Sequence, residues 1–214
     1  MTEILCVVVA VLFLAALALT FVTKKQGRRH FGQCQNNLKQ VSLAFRVWAN
    51  DNNDKFPYLT TNCLAYTNEA LAWLHFYVMS NELGSARILT CPQDAQRLSN
   101  SVSDFTASSM GLLSQSNRAV SYFVGLEADE TKPNALLSGD RNLLWLSTST
   151  LGQVVSLATN TPFHWGRDLH TNRGNIALAD GSVSLLDRRE LLTQLGHSHG
   201  LSTNRLLMPL VPKP

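Results

Sequence analysis

The chain has 214 residues, of which 45% are hydrophobic and 15% are charged, and its formal net charge is +3. This composition excludes an intrinsically disordered chain, and about 160 residues beyond the N-terminal region are enough for one folded core. Four basic residues directly follow the first apolar segment, so the rest of the chain is close to neutral. A nucleic-acid-binding surface is therefore not expected.

The first predicted element is a membrane helix. Residues 4–22 carry no charge, and about 20 apolar residues are needed to cross a bilayer as a helix. We expect this segment to be retained, so that residues 1–23 form the transmembrane half of an N-terminal helix in contact with inner membrane lipid. The basic residues that follow are interpreted as anchors to phospholipid headgroups; they are Lys24, Lys25, Arg28 and Arg29.

The same helix is predicted to continue as an amphipathic segment over residues 24–54. Apolar residues recur every three or four positions, as on one face of a helix, at Phe31, Cys34, Leu38, Val41, Phe45 and Trp48. The polar run at residues 50–54 and then Pro57 predict the end of the helix. The remaining residues, 55–214, are predicted to form a globular α+β head.

A β-hairpin is predicted near the C-terminus. Residues 175–179 and 182–186 flank Asp180 and Gly181, a pair that favours a two-residue type I′ turn. Such a turn would place one set of apolar side chains on the core face and the alanines and serines on the other. The predicted cross-strand pairs on the core face are Leu178 with Val183 and Ile176 with Leu185.

Four short motifs in this order resemble those of bacterial type IV pilin-like proteins. The resemblance is greatest to the pseudopilin-like family related to the major pseudopilin of type II secretion. The motifs are Cys-Gln-Asn-Asn-Leu-Lys-Gln from residue 34, Thr-Cys-Pro-Gln-Asp from residue 90, Ser-Tyr-Phe-Val-Gly from residue 121, and a histidine followed ten residues later by Asp-Gly. We expect structural roles for the motif residues Cys34, Asn37, Leu38, Cys91, Pro92, Tyr122, His170, Asp180 and Gly181.

This resemblance implies an α+β, pilin-like fold in which the long N-terminal helix packs on a small antiparallel sheet. It implies a non-enzymatic structural subunit of a type II secretion or type IV pilus-type filament, whose partners are other pilin-like subunits and the assembly machinery. The expected location is a bacterial inner membrane, single-pass, with a periplasmic head, although the positive-inside rule alone favours a cytoplasmic head. Residues expected to serve assembly and the membrane are Glu3, Ile4, Leu5, Val8, Leu12, Ala15 and Phe21.

A second hypothesis is a membrane-tethered periplasmic binding module that does not polymerise. It is favoured by the start of the chain, where Met1, Thr2 and Glu3 stand without the basic leader, ending in glycine, that a prepilin peptidase would cleave.

No catalytic, cofactor-binding or metal-binding residue is predicted. The chain lacks the Gly-x-Ser-x-Gly motif of serine hydrolases, the His-Glu-x-x-His motif of zinc proteases and a glycine-rich phosphate-binding loop. His170 and Asp180 could form a metal or acid/base pair, but the turn already explains Asp180, so a structural role is preferred. The oxygen-rich residues 50–54 leave calcium in the head possible but unassigned. A disulfide between Cys63 and Cys91 is left open.

Overall fold

The computed structural model describes residues 2–60, 71–145, 154–198 and 204–210. The first element, α1, spans Thr2–Asp51 and contains 50 residues; its described side chains are those of residues 4, 8, 10–17, 30 and 32–51. In the second half of α1 the predicted apolar stripe is buried at Cys34, Leu38, Val41 and Phe45. The helix ends where Asn53 and Asp54 adopt positive φ angles, three residues before Pro57.

Short helices follow α1 and cover one side of the core. They are α2 at Ala72–Val78, α3 at Ser80–Leu83, α4 at Ala95–Leu98 and α5 at Leu112–Gln115, with 3-10 turns at Pro57–Leu59, Ala86–Leu89 and Ser116–Ala119. A longer helix, α6 at Arg188–His197, begins with a capping box in which Asp187 and Glu190 each accept a hydrogen bond from the other's backbone, satisfying two free N–H groups at that helix end.

Eight described strands form two sheets. The strands are β1 (Tyr122–Gly125), β2 (Leu136–Asp140), β3 (Leu143–Trp145), β4 (Val154–Leu157), β5 (Phe163–Trp165), β6 (Gly174–Leu178), β7 (Val183–Leu186) and β8 (Asn204–Leu207). The main sheet has the order β4-β8-β1-β2-β6-β7, and β3 pairs with β5 in a second sheet of two strands. Every strand pair is antiparallel.

The main sheet lies between two hydrophobic clusters. In β1, Tyr122 and Val124 join the cluster that contains the buried stripe of α1, whereas Phe123 joins a second cluster that contains Leu191 and Leu195 of α6. Successive strand residues point to opposite faces, so both faces of the sheet are covered and the central strands are buried throughout.

The predicted fold class is wrong in its pilin-like description. The structure is an α+β arrangement with a six-stranded main sheet, and within the described part of the chain no helix is both long enough and apolar enough to cross a membrane. The same finding contradicts the predicted single-pass location in a bacterial inner membrane with a periplasmic head.

The hairpin exists, but its predicted register is wrong by one residue. Ala177 pairs with Val183 and Ile176 pairs with Ser184. The loop contains three residues, 179–181, because Leu178 and Ser182 close it with a hydrogen bond and Gly181 takes a φ of +88°. This is the geometry of a three-residue hairpin loop ending in a left-handed glycine, which competes with the two-residue turn for the same Asp-Gly sequence.

The observed register determines which face of the hairpin packs against each of the two hydrophobic clusters. Ala177 and Ala179 pack in the cluster beneath α1, whereas Ile176 packs in the opposite cluster. The alanine face predicted to lie away from the core is therefore buried against the helix. Small side chains suit this position because they let the helix approach the sheet closely.

Candidate functional site

A disulfide joins α1 to the segment that precedes α4. Cys34 and Cys91 are bonded, their Cα atoms lie 5.0 Å apart, and 57 positions separate them in sequence. Both residues are fully buried. The alternative of a Cys63–Cys91 bridge is wrong because Cys91 is bonded to Cys34; Cys63 lies outside the described residues. The sequence placed Cys34 on the stripe of α1 that faces the head, but this pattern did not identify Cys91 as its partner.

A buried polar cluster lies beside this disulfide and contains His170. The His170 Nε2 atom lies 3.7 Å from Cys91 Sγ, 3.2 Å from Asp140 Oδ2 and 2.9 Å from Asn175 Nδ2. The side chains of His170 and Asp140 are 1% and 0% exposed. Asp140 ends β2 and Asn175 lies in β6, so the pairing of these neighbouring strands brings the cluster together.

Asn175 fixes the orientation of the Asp140 carboxylate. Its backbone N–H and its side-chain amide both donate to Asp140 Oδ2, at 2.6 and 2.9 Å. The other carboxylate oxygen, Asp140 Oδ1, is buried and has no hydrogen-bond partner among the described residues. A buried carboxylate oxygen without a donor is costly, so this atom is a candidate ligand for a cation.

The structure places His170 against Asp140. Asp180, the predicted partner of His170, lies in the loop of the hairpin. Asp180 Oδ1 accepts a hydrogen bond from Ser182 N at 2.8 Å, and its carbonyl accepts one from Arg46 on α1 at 3.1 Å. Gly181 follows in the left-handed conformation. Asp180 and Gly181 thus shape the loop that touches α1. The chemical cluster combines His170 and Cys91, which the sequence motifs included, with Asp140 and Asn175, which sequence reasoning missed.

An ion pair with a fully buried carboxylate is linked to Cys91 through Ser121. Arg141 donates to both carboxylate oxygens of Asp94, from Nε at 2.7 Å and from Nη2 at 2.6 Å. Ser121 donates to the same carboxylate and accepts the backbone N–H of Cys91. Burial lowers the pKa of the Arg141 guanidinium, but the hydrogen bonds and charge of Asp94 outweigh it, so that pKa lies above its ordinary value.

The remaining motif residues connect α1 to this network. Asn37 donates to the carbonyl of Thr90, the residue before Cys91, at 3.3 Å. Leu38 and Tyr122 are fully buried, and burial together with the charge of Asp140 raises the pKa of the Tyr122 phenol well above its ordinary value. Pro92 is half-buried. The four sequence motifs therefore meet at one place, where α1 is fastened to the sheet.

The oxygen-rich residues 50–54 end a helix in this structure. Asn52 donates its side-chain amide to the carbonyl of Trp48, and the backbone N–H of Asp54 bonds to the carbonyl of Ala49. Within the described residues, the grouping of close metal-ligating atoms lies elsewhere, at Cys34, Cys91 and His170, whose ligand atoms are all within 4.8 Å of one another.

The predicted assembly residues lie along the first part of α1. Ile4 and Leu12 are 71% and 64% exposed, and Val8 and Ala15 are also exposed. The side chains of Glu3, Leu5 and Phe21 lie outside the described part of the helix. Every residue from 10 to 17 is exposed, and we call residues 4–17 the assembly segment.

Comparison with known proteins finds no counterpart. No protein-family model, no curated protein and no solved structure matches this chain. The resemblance to pilin-like proteins therefore rests on the sequence motifs alone.

Proposed function

We propose that this chain is a structural subunit that assembles with other copies of itself through the assembly segment, in a filament of the type used in secretion or by type IV pili. The observation that carries the proposal is the run of eight consecutive exposed and uncharged residues at positions 10–17. Pilin-like subunits and the assembly machinery of such a filament are the partners we propose for the head.

The distribution of exposure around the helix favours several neighbours over one. Successive helix residues are rotated by about 100°, so eight of them cover the whole circumference. A helix that is apolar all round is stable in water only when it is surrounded, whereas a helix in a simple dimer needs only one apolar stripe. Packing among several copies satisfies this requirement, and one partner does not.

The free energy gained by burying the exposed apolar side chains of the assembly segment is large enough to drive association. Val11, Leu12, Phe13 and Leu14 are all exposed large hydrophobic residues, and burial of each such side chain contributes about 1.5–3 kcal/mol. Exposed apolar patches of this extent mark interaction surfaces in folded proteins. The assembly segment is therefore the part of the described surface with the strongest reason to associate.

The fastening of α1 to the head gives such an assembly a fixed geometry. The Cys34–Cys91 disulfide and the contact between Arg46 and Asp180 both hold the second half of α1 against the sheet. Because the assembly segment belongs to the same helix, its direction relative to the head is set by these contacts. Copies that associate through the segment would then present their heads in equivalent orientations.

Cysteine cross-linking at four helix angles tests this proposal. In a background with Cys6 and Cys63 replaced by serine, single cysteines are introduced as V11C, L12C, F13C and L14C, and each full-length chain is oxidised. We expect all four to form covalent dimers, because neighbours lie on every side. The control is L43C, at a position 60% exposed on the same helix but outside the segment, where we expect little cross-linking.

The pattern of cross-links separates the alternatives. Cross-links at only one of the four positions would indicate a single partner helix and contradict the multi-copy arrangement. Chains that remain monomeric at all four positions would contradict assembly and favour a binding module that does not polymerise.

A further inference from the structure

The cluster of Cys34, Cys91 and His170 contains the ligand types of a structural zinc site. Thiolate sulfur and imidazole nitrogen are the donors that zinc prefers, and carboxylate oxygen is a common fourth ligand. Here two sulfurs and His170 Nε2 lie within 4.8 Å of one another, and Asp140 Oδ2 lies 3.2 Å from the same nitrogen. All four side chains belong to buried residues.

The spacing fits a tetrahedral ion at two of its edges. Bonds of about 2.0 Å to nitrogen and oxygen and about 2.3 Å to sulfur place tetrahedral ligand atoms about 3.3 Å apart for nitrogen and oxygen and about 3.5 Å apart for nitrogen and sulfur. The observed separations are 3.2 Å between His170 and Asp140 and 3.7 Å between His170 and Cys91. The Asn175 amide, whose Nδ2 lies 2.9 Å from both His170 Nε2 and Asp140 Oδ2, must turn away to free the histidine lone pair. The larger obstacle is that the two sulfurs are joined by a covalent bond and are too close to bind one ion together.

Reduction removes that obstacle. Two thiols of an external reductant exchange with the disulfide, which takes up two electrons and becomes two cysteine thiols while the reductant becomes its own disulfide. The sulfurs then separate to non-bonded distance. Zinc binding to the two thiolates releases two protons to solvent, and the positive ion offsets the negative charge that the thiolates and Asp140 would otherwise concentrate in a buried site.

We infer that this cluster is a site with two states: a disulfide under oxidising conditions, and a zinc site formed by Cys34, Cys91, His170 and Asp140 when the cysteines are reduced. In both states the same residues fasten α1 to the sheet. The zinc state would let the chain fold in a compartment where the disulfide does not form. The inference concerns the head alone and is independent of assembly through residues 4–17.

Zinc content under controlled redox conditions tests the inference. The full-length chain with Cys6 and Cys63 replaced by serine is refolded with a phosphine reductant and zinc chloride, or oxidised and given the same zinc, and then freed of unbound metal. We expect about one zinc ion per reduced chain and none in the oxidised chain. A folded, reduced chain without zinc, or equal zinc in both forms, would overturn the inference.

Single substitutions identify the ligands. H170Q and D140N are each expected to weaken zinc binding at least tenfold in the reduced chain, whereas H164Q, which removes an exposed histidine of β5, should leave it unchanged. Retention of full zinc affinity by H170Q would contradict the assignment.

Cobalt substitution provides a readout that does not require the variants to fold. In the reduced background chain, bound Co²⁺ is expected to give the thiolate charge-transfer absorption of a two-sulfur tetrahedral site. A folded chain whose cobalt spectrum lacks thiolate bands would contradict the site even if zinc were bound elsewhere.

Discussion

Cys34 of α1 is covalently bonded to Cys91, and the loop that this bond closes spans 57 positions. A cross-link across a long loop lowers the entropy of the unfolded chain, which in this case corresponds to about 4 kcal/mol of stability. We therefore expect C34S/C91S to reduce the free energy of unfolding by about that amount, measured by denaturant titration under oxidising conditions. The control is C6S/C63S, which keeps the disulfide; a similar loss in that control would show that the bond is not the cause.

The pair Asp94 and Arg141 is expected to respond asymmetrically to substitution. Asp94 is fully buried, whereas the Arg141 side chain is 12% exposed and also lies 3.5 Å from Asp168. R141Q leaves a buried carboxylate without its cation and should cost about 3–5 kcal/mol of unfolding free energy. D94N leaves a cation that retains another partner, and should cost less.

A double-mutant cycle measures the coupling of this pair. The R141Q/D94N chain should be destabilised by clearly less than the sum of the two single variants, because the second substitution removes the unpaired charge left by the first. Additive losses would mean that the two side chains contribute independently. That result would contradict the paired hydrogen bonds between Arg141 and Asp94.

His75 makes the stability of the head depend on pH. Burial lowers the pKa of His75 to about 4, whereas the unfolded chain binds that proton near pH 6.5. The stabilising contribution is therefore complete above pH 6.5 and is lost as the pH falls from 6.5 towards 4, by about 2 kcal/mol between pH 7 and pH 5. Denaturant titrations of the wild-type chain and H75Q at both pH values test this.

The quantity to compare is the change in unfolding free energy between pH 7 and pH 5, and not the absolute stability of each variant. H75Q should lose about 2 kcal/mol less than the wild-type chain over the same pH interval. H164Q, at an exposed position, serves as the matched control and should keep the wild-type dependence. Equal pH dependence in H75Q and the wild-type chain would contradict the account.

Two glycines are expected to respond to alanine in opposite directions. Gly181 has a φ of +88°, and an added Cβ would meet only the side chains of Arg46 and Ser42 at 3.4 Å or more. The cost of G181A is therefore backbone strain of about 1 kcal/mol. Gly196 lies in α6 with nothing within 4 Å of an added Cβ, so G196A should stabilise by about 0.5 kcal/mol. Thermal or denaturant unfolding of both variants provides the comparison, and a stabilising G181A would contradict the loop geometry.

Local sequence patterns predicted the amphipathic helix and the C-terminal hairpin. The register of the hairpin depends on tertiary pairing and could not be predicted in the same way. The stripe containing Cys34 and Leu38 and the turn at Asp180 and Gly181 depend on neighbours close in sequence, so their existence could be predicted. The hairpin register could not, because the conformation of one glycine decides between a two-residue and a three-residue loop. A slip of one residue moves the side chains of one strand to the opposite face relative to its partner, which is why Val183 shares a face with Ala177 and not with Leu178.

Most of the candidate site could not be predicted from the sequence either, because it too depends on tertiary pairing. His170 pairs with Asp140, 30 positions away, only because β2 and β6 are neighbours in the sheet. Their order cannot be read from local periodicity. The Cys34–Cys91 bond depends likewise on where α1 crosses the head, which propensity does not specify.

The central claim is that residues 4–17 associate around one another in several copies, and sedimentation of the full-length chain at rising concentration measures this most directly. We predict species larger than a dimer for the wild-type chain and dissociation for L12D, while L43D, at an exposed leucine outside the assembly segment on the same helix, should leave the assembly intact. A wild-type chain that remains monomeric at all concentrations, or that dissociates equally in L43D and L12D, would contradict the claim.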